Sequence, residues 1–203
     1  MYSTEDKILA KMKKAKGGTL FFADNFISIA SSNTVTKALE RLVDSEEIVR
    51  VAKGIYTRPA TDKILGRVLP SIDEIAKAIA KRDRARIVPT GSYSLYKLGL
   101  TTQVPLNVVY YTDASPRKLK IGKQSITFKK ASAKNLSAIG EISKLVIQAL
   151  RTIGKDNVRE EEIAKIRTLL QSEKPYHLQH DLKLAPEWMR KLIGSIKTST
   201  ANE

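Results

Sequence analysis

The side chains able to do chemistry are few, and their spacing limits what that chemistry is. His177 and His180 stand three apart in PYHLQHD with Asp181 adjacent, the only cluster carrying metal-ligand types. Three ligands at a generic spacing with no fourth read as surface residues, and no metal site is expected. With two histidines and no cysteine there is no Ser-His-Asp or Cys-His arrangement to assemble, and thiolate catalysis, disulfides and Cys-based metal centres are excluded. Gly91-Ser92 has the form of the Gly-Ser turn that nucleotidyltransferases place ahead of a strand with paired carboxylates, which hold two metal ions. The strand that follows, in LNVVYYTDAS, offers Asp113 without a second acid beside it. The simpler reading is that Gly91 permits a strand-to-helix turn and Ser92 caps the helix. The expectation is a protein that is not an enzyme, with no catalytic residue, no metal and no cofactor.

What remains is the chemistry of recognition. In SSNTVTKALERLVDSEEIVRVAKGIYTRP, residues 31–59, Val35, Ala38, Leu39, Leu42 and Val43 recur at helical spacing and form one apolar stripe. Away from it lie Asn33, Thr34, Thr36, Lys37 and Arg41, types that hydrogen-bond to base edges and phosphates, with Ser32 as the expected N-cap. IVRVA and IYTRP then predict two strands turning at Lys53-Gly54, with Arg50, Lys53 and Arg58 on or beside the hairpin where phosphates would lie. Ahead of these, residues 4–15 carry an apolar stripe of Ile8, Leu9 and Met12, Gly17-Gly18 stops that helix, and 23–30 reads as a second short helix. Three helices and a two-stranded wing predict a winged helix-turn-helix DNA-binding domain over 1–60.

Residues 61–70 read as a linker closed by Pro70. Ser71 with Glu74 is a capping box opening a helix whose buried stripe is Ile72, Ile75, Ala76, Ile79 and Ala80. RIVPTGSYSLYKLGLTTQVPLNVVYYTD reads strand, short helix, strand. Tyr110 and Tyr111, adjacent in the last strand, point to opposite faces, so one belongs to the core. KLKIG and SITFKK form a second hairpin turning at Gly122-Lys123. A two-residue turn sets its register: Leu119, Ile121, Ile126 and Phe128 share one face, and Lys118, Lys120, Ser125, Thr127 and Lys129 share the other. The chain then turns helical over 136–153 and 158–171, and in a last helix opened by Pro186, before a tail expected to be disordered near 198–203. The fold class is therefore α+β: a winged helix-turn-helix domain followed by a mixed α/β domain over 71–203 that ends in a helical segment.

At 203 residues and 42% hydrophobic content the chain can bury one or two cores. No run approaches the ~20 apolar residues of a membrane span. The first fifteen residues read as an amphipathic helix rather than a signal peptide, so no membrane partner and a cytoplasmic location are expected. The formal net charge of +15 points to polyanionic or acidic partners. Its densest part is 111–135, with seven basic side chains against Asp113 alone. Lys118, Lys120, Lys123 and Lys129 of the second hairpin lie there, facing either DNA or an acidic protein partner.

NTVTKALERLVDSEEIVRVAKGIYTRP, PTGSYSLYKLGLTTQVP, LKIGKQSITFKKAS and LAPEWMRKLIGSI together resemble the AbiEi-like antitoxins of bacterial abortive-infection, or type IV, toxin–antitoxin systems. The likeness covers most of the chain, and LGLTTQVP is its most specific part. The resemblance implies an N-terminal winged helix that represses its own operon by binding double-stranded operator DNA, with self-association on that DNA. It also implies a C-terminal domain that neutralises a separately encoded nucleotidyltransferase toxin in phage defence, and no catalytic residues. The alternative is a stand-alone winged-helix transcriptional regulator whose C-terminal domain serves dimerisation or effector sensing.

Overall fold

The computed structural model describes residues 2–200, with side chains to 194. It is a mixed α+β chain. Contacts divide it into two units, Met1–Ile79 with Leu119–Gly122, and Ala80–Lys118 with Lys123–Glu203.

The first unit opens with α1, Thr4–Lys13, started by a reciprocal capping box between Ser3 and Asp6. Strand β1, Leu20–Phe22, leads into a 3-10 turn, Ala23–Phe26, where a longer helix was expected. The Asn25 side chain accepts the Phe22 N–H at 2.7 Å and closes the turn, and the Ile27-Ser28-Ile29 run that follows has weak helix propensity. Helix α2, Ser32–Asp44, comes next. Its cap is Ser31, not Ser32, because the Ser31 hydroxyl accepts the Thr34 N–H. Strands β2, Val49–Ala52, and β3, Ile55–Thr57, turn at Lys53-Gly54, where Gly54 takes φ 71°. β3 is the central strand of a sheet ordered β1-β3-β2, antiparallel throughout. Ile8, Met12, Phe26, Val35, Ala38, Leu39, Leu42, Ile48 and Tyr56 form one buried cluster. The stripe read from α2 is thus its core face.

The expected linker is instead a second small hairpin, β4, Ala60–Asp62, paired antiparallel with β5, Gly66–Val68. Helix α3, Ile72–Arg82, follows with Ser71 and Glu74 bonded as a capping box, and the division between units falls within it.

In the second unit β6, Ile87–Thr90, α4, Ser92–Lys97, and β7, Asn107–Thr112, appear as expected, though Gly91 rather than Ser92 is the N-cap of α4. Strands β8, Arg117–Ile121, and β9, Gln124–Lys130, turn at Gly122-Lys123 and complete a sheet ordered β6-β7-β9-β8. β6 and β7 are antiparallel and β7 and β9 parallel, which places Tyr110 beside Phe128, rings 5.9 Å apart, and Tyr111 beside Lys129. Tyr110 is buried and Tyr111 only partly so, as strand alternation requires.

The helical segment holds α5, Glu141–Ile153, α6, Glu160–Gln171, α7, Pro175–Leu184, and α8, Glu187–Thr200. Helix α7 was not anticipated; Pro175 stands in its first turn. The expected disordered tail lies within α8 as far as Thr200, and 201–203 fall outside the described residues. Val146, Leu150, Ile166, Leu178, Met189 and Ile193 knit these helices into one core, against which Trp188 packs. No described helix is long and apolar enough to cross a membrane.

Candidate nucleic-acid interface

The outer face of α2 follows from its inner one. Because Val35, Ala38, Leu39 and Leu42 are all buried, helical geometry turns Asn33, Thr36 and Lys37 outward, and they are exposed together with Ser32 and Thr34. Among these, two hydroxyls are engaged locally: Thr34 Oγ1 lies 2.9 Å from Ser31 Oγ, and Thr36 Oγ1 donates to the Ser32 carbonyl at 2.9 Å. Asn33 and Lys37 make no side-chain hydrogen bond or ion pair with any described residue, and lie one turn apart on the exposed surface. Their polar groups are available to a ligand. Arg41 lies further along the helix and pairs with Glu5 of α1 at 2.8 Å, both ends of the contact reaching solvent.

The hairpin cations separate into two kinds. Arg50 on β2 and Lys53 at the turn are exposed and unpaired among the described residues. Arg58 was expected beside them, yet its guanidinium turns back to the loop after α1: Nη2 donates to the Ala15 carbonyl at 3.2 Å, and Nε is buried with no hydrogen-bond partner among the described residues. Arg58 therefore ties down the chain just past the C-terminal end of α1, with its guanidinium partly buried. This gives a prediction. Arg50→Ala with Lys53→Ala should flatten the dependence of log K on log salt by up to about 1.8, at about 0.9 per phosphate contact. Arg58→Ala should leave that slope alone and lower thermal stability by about 1 kcal/mol. DNA titrations at several salt concentrations, with thermal melts of each variant, separate the two effects.

The second hairpin shows the expected alternation. Lys118, Lys120, Lys123 and Lys129 are exposed, Leu119 and Ile121 are half-buried, and Ile126 and Phe128 are buried. None of the four lysines has an ion-pair partner among the described residues. Asp113, the sole acid of 111–135, is committed elsewhere: Arg86 donates to it from Nε at 2.9 Å and from its backbone N–H at 2.8 Å. Those side-chain and backbone bonds hold the Asp113 carboxyl below its usual value, so it stays ionised and occupied. Ser125 and Thr127 share the lysine face, and both hydroxyls donate to Asn107 Oδ1, at 2.9 and 2.8 Å. The face is polar and cationic.

His177, His180 and Asp181 are not loose surface residues. They belong to a buried capping cluster at the start of α5, which the sequence does not reveal because its members lie 30 or more residues apart. Asp181 is fully buried and accepts from the N–H groups of Ile139 and Gly140 at 2.8 and 2.9 Å and from the Ser143 hydroxyl at 2.5 Å. Glu173 accepts from the N–H groups of Ile142 and Ser143 at 2.7 and 3.1 Å. His180 Nδ1 lies 2.9 Å from Asp181, and His177 Nδ1 3.3 Å from Glu173. Burial alone would raise both carboxyls; the hydrogen bonds outweigh it and hold both below their usual values. The packing is close enough to demand glycine at 140, where a Cβ would fall 2.1 Å from Ser143 Oγ. This is the orphan N–H set of a helix satisfied by two remote carboxylates, a structural device. No group of three or more His, Asp or Glu among the described residues is placed to hold a metal ion.

Compared with known proteins, the sequence matches the family described as "Family of unknown function (DUF6088)" over residues 7–178. No curated protein matches it.

Proposed function

We propose that this chain, which belongs to the DUF6088 family, is a cytoplasmic repressor that binds double-stranded DNA and acts by binding rather than catalysis. One observation carries the reading. Helix α2 spends its apolar face on the core and leaves Asn33 and Lys37 exposed and unbonded, directly ahead of a hairpin that presents Arg50 and Lys53. In sequence order the unit runs helix, strand, turn, helix, hairpin, which we read as a winged helix with α2 as the recognition helix. In the major groove, an Asn side chain pairs with adenine N6 and N7 and a Lys with guanine O6 and N7, while hairpin cations meet phosphates.

The resemblance to AbiEi-like antitoxins extends the proposal: the DNA is the operator of its own operon, and the second unit neutralises a nucleotidyltransferase toxin. The four unpaired lysines of the β8–β9 hairpin support a polyanionic or acidic partner there.

The test is a comparison of the upstream region of its own gene with a scrambled duplex. Wild type should prefer the former. Asn33→Ala with Lys37→Ala should remove about 1–3 kcal/mol of discrimination per lost base contact while non-specific binding survives. An unchanged ratio of specific to non-specific affinity rules α2 out as the reading element. A protein that represses its promoter but rescues no cell from a neighbouring toxin is a stand-alone regulator.

A further inference from the structure

The most exposed large aliphatic side chains described in this protein sit side by side. Ile64 is 92% and Leu65 76% exposed, at the tip of the β4–β5 hairpin. Large apolar side chains are left in water singly as a matter of course, but this pair is held out on a rigid support. Asp62 Oδ1 accepts the N–H groups of both Ile64 and Leu65, at 2.8 and 2.9 Å, and Gly66 takes φ 70° to close the three-residue loop. The strands are in register from Ala60 opposite Val68 to Asp62 opposite Gly66. The tip is thus preorganised, and what it presents is two branched aliphatics on a ribbon two strands wide.

The surrounding charge indicates the partner. Lys63 is exposed beside the pair, and Arg67, opposite Thr61 in the ribbon, is 56% exposed but engaged by Glu46, its guanidinium donating to the Glu46 carbonyl at 2.6 Å and lying 3.6 Å from the Glu46 carboxylate. The one acid of the hairpin, Asp62, has an oxygen turned to the loop N–H groups, and those bonds lower its pKa. The tip therefore offers apolar surface beside Lys63, an exposed cation with no ion-pair partner among the described residues, while the Asp62 carboxylate is bonded to the loop N–H groups. A second copy of a chain with net charge +15 is a poor occupant. A protein groove would be met by only two side chains, far short of the area of a specific interface. A narrow apolar wedge with an exposed lysine beside it does suit a base step of duplex DNA, where Leu and Ile insert from the minor groove and a lysine takes a flanking phosphate.

We propose that Ile64 and Leu65 form a wedge that enters a base step of the duplex and unstacks it. The inference rests on the DNA-binding reading above and adds a second, non-polar contact to it. Pyrimidine–purine steps are the expected points of entry, since they unstack most easily.

The test uses the full chain and duplexes selected from a random pool for binding to it, with 2-aminopurine placed in turn at each pyrimidine–purine step. Wild type should raise the fluorescence at one step, the signature of lost stacking. Ile64→Ser with Leu65→Ser should abolish that rise and weaken binding about tenfold. Folding should be unaffected, as both side chains stand in solvent. Fluorescence that stays flat at every step while wild type binds, or a double variant that unstacks the duplex as wild type does, overturns the wedge and leaves the DNA reading intact. A wild type that enriches no duplex from the pool overturns both.

Discussion

Asp181→Ala should destabilise the second unit by about 3 kcal/mol, the largest effect expected of any single substitution considered. The reason is the number of donors that depend on one carboxylate. Ile139 N–H, Gly140 N–H and the Ser143 hydroxyl all donate to Asp181, and its site is closed to solvent. Truncation leaves the Gly140 N–H buried and unpaired and the part-buried Ile139 N–H without its acceptor, at about 1–3 kcal/mol each before relaxation, while the Ser143 hydroxyl keeps only the long 3.5 Å contact to Glu173. Trp188 is the only tryptophan and packs against the core of α5 to α8, so its fluorescence reports the unfolding of this unit directly. Urea titration followed at Trp188 should show a lower midpoint. Asp181→Asn should fall between the two, since the amide keeps one acceptor and turns a donor toward donors. A midpoint equal to wild type for Asp181→Ala would show that the cluster adds nothing.

The same cluster sets a pH dependence. Asp181 and Glu173 both have folded-state pKa values below their usual ones. For such groups the stabilisation is complete above the unfolded-state value, about 4 for a carboxyl, and is lost as pH falls through the lower folded-state value. The Trp188-monitored midpoint should therefore hold steady near neutrality and drop below about pH 4. In Asp181→Ala that acid-side drop should be shallower, because one of the two linked carboxyls is gone.

This cluster also shows why some of the molecule was legible in the sequence and some was not. Local periodicity carried α2 and both strand alternations: Val35 to Leu42 repeat at helical spacing, and Leu119 to Phe128 alternate around a two-residue turn. Each is decided by neighbours a few residues away. The capping of α5 is decided by residues 30 to 42 positions distant, so HLQHD read alone offered only ligand types without partners. Helix α7 was hidden for a related reason, since its buried positions are Leu178 and the polar Asp181, which leave no apolar stripe. The β4–β5 hairpin escaped because three-residue strands have too little length to alternate, and its Asx turn depends on a side-chain bond that composition does not announce. Ser31 and Ser32 are chemically equivalent as caps, and only backbone geometry chooses between them.

Changing Lys118, Lys120, Lys123 and Lys129 together to glutamine should yield a folded protein that has lost an electrostatic partner. Folding is spared because the four side chains are exposed, while Ile126 and Phe128, which hold the hairpin, are untouched. A purely protective role can account for part of the pattern: β8 is the edge strand of the sheet, and lysines on an edge discourage pairing with other chains. It does not account for Lys129, which stands on the interior strand β9 in register with Tyr111, or for Lys123 at the turn. Nor does it explain why the single acid of 111–135 is tied up by Arg86. If the partner is duplex DNA, removing four phosphate contacts should reduce the salt slope by about 3.6, at about 0.9 each, a larger change than the β2–β3 cations can produce. If it is an acidic surface of a toxin, operator affinity and its salt slope should stay at wild-type values while rescue of growth during toxin expression fails. Glutamine keeps length and polarity, so either loss reports charge alone. A variant that binds operator DNA with the wild-type slope and also rescues growth leaves the lysines as solvated surface, and the charge excess of this segment then has no part in function.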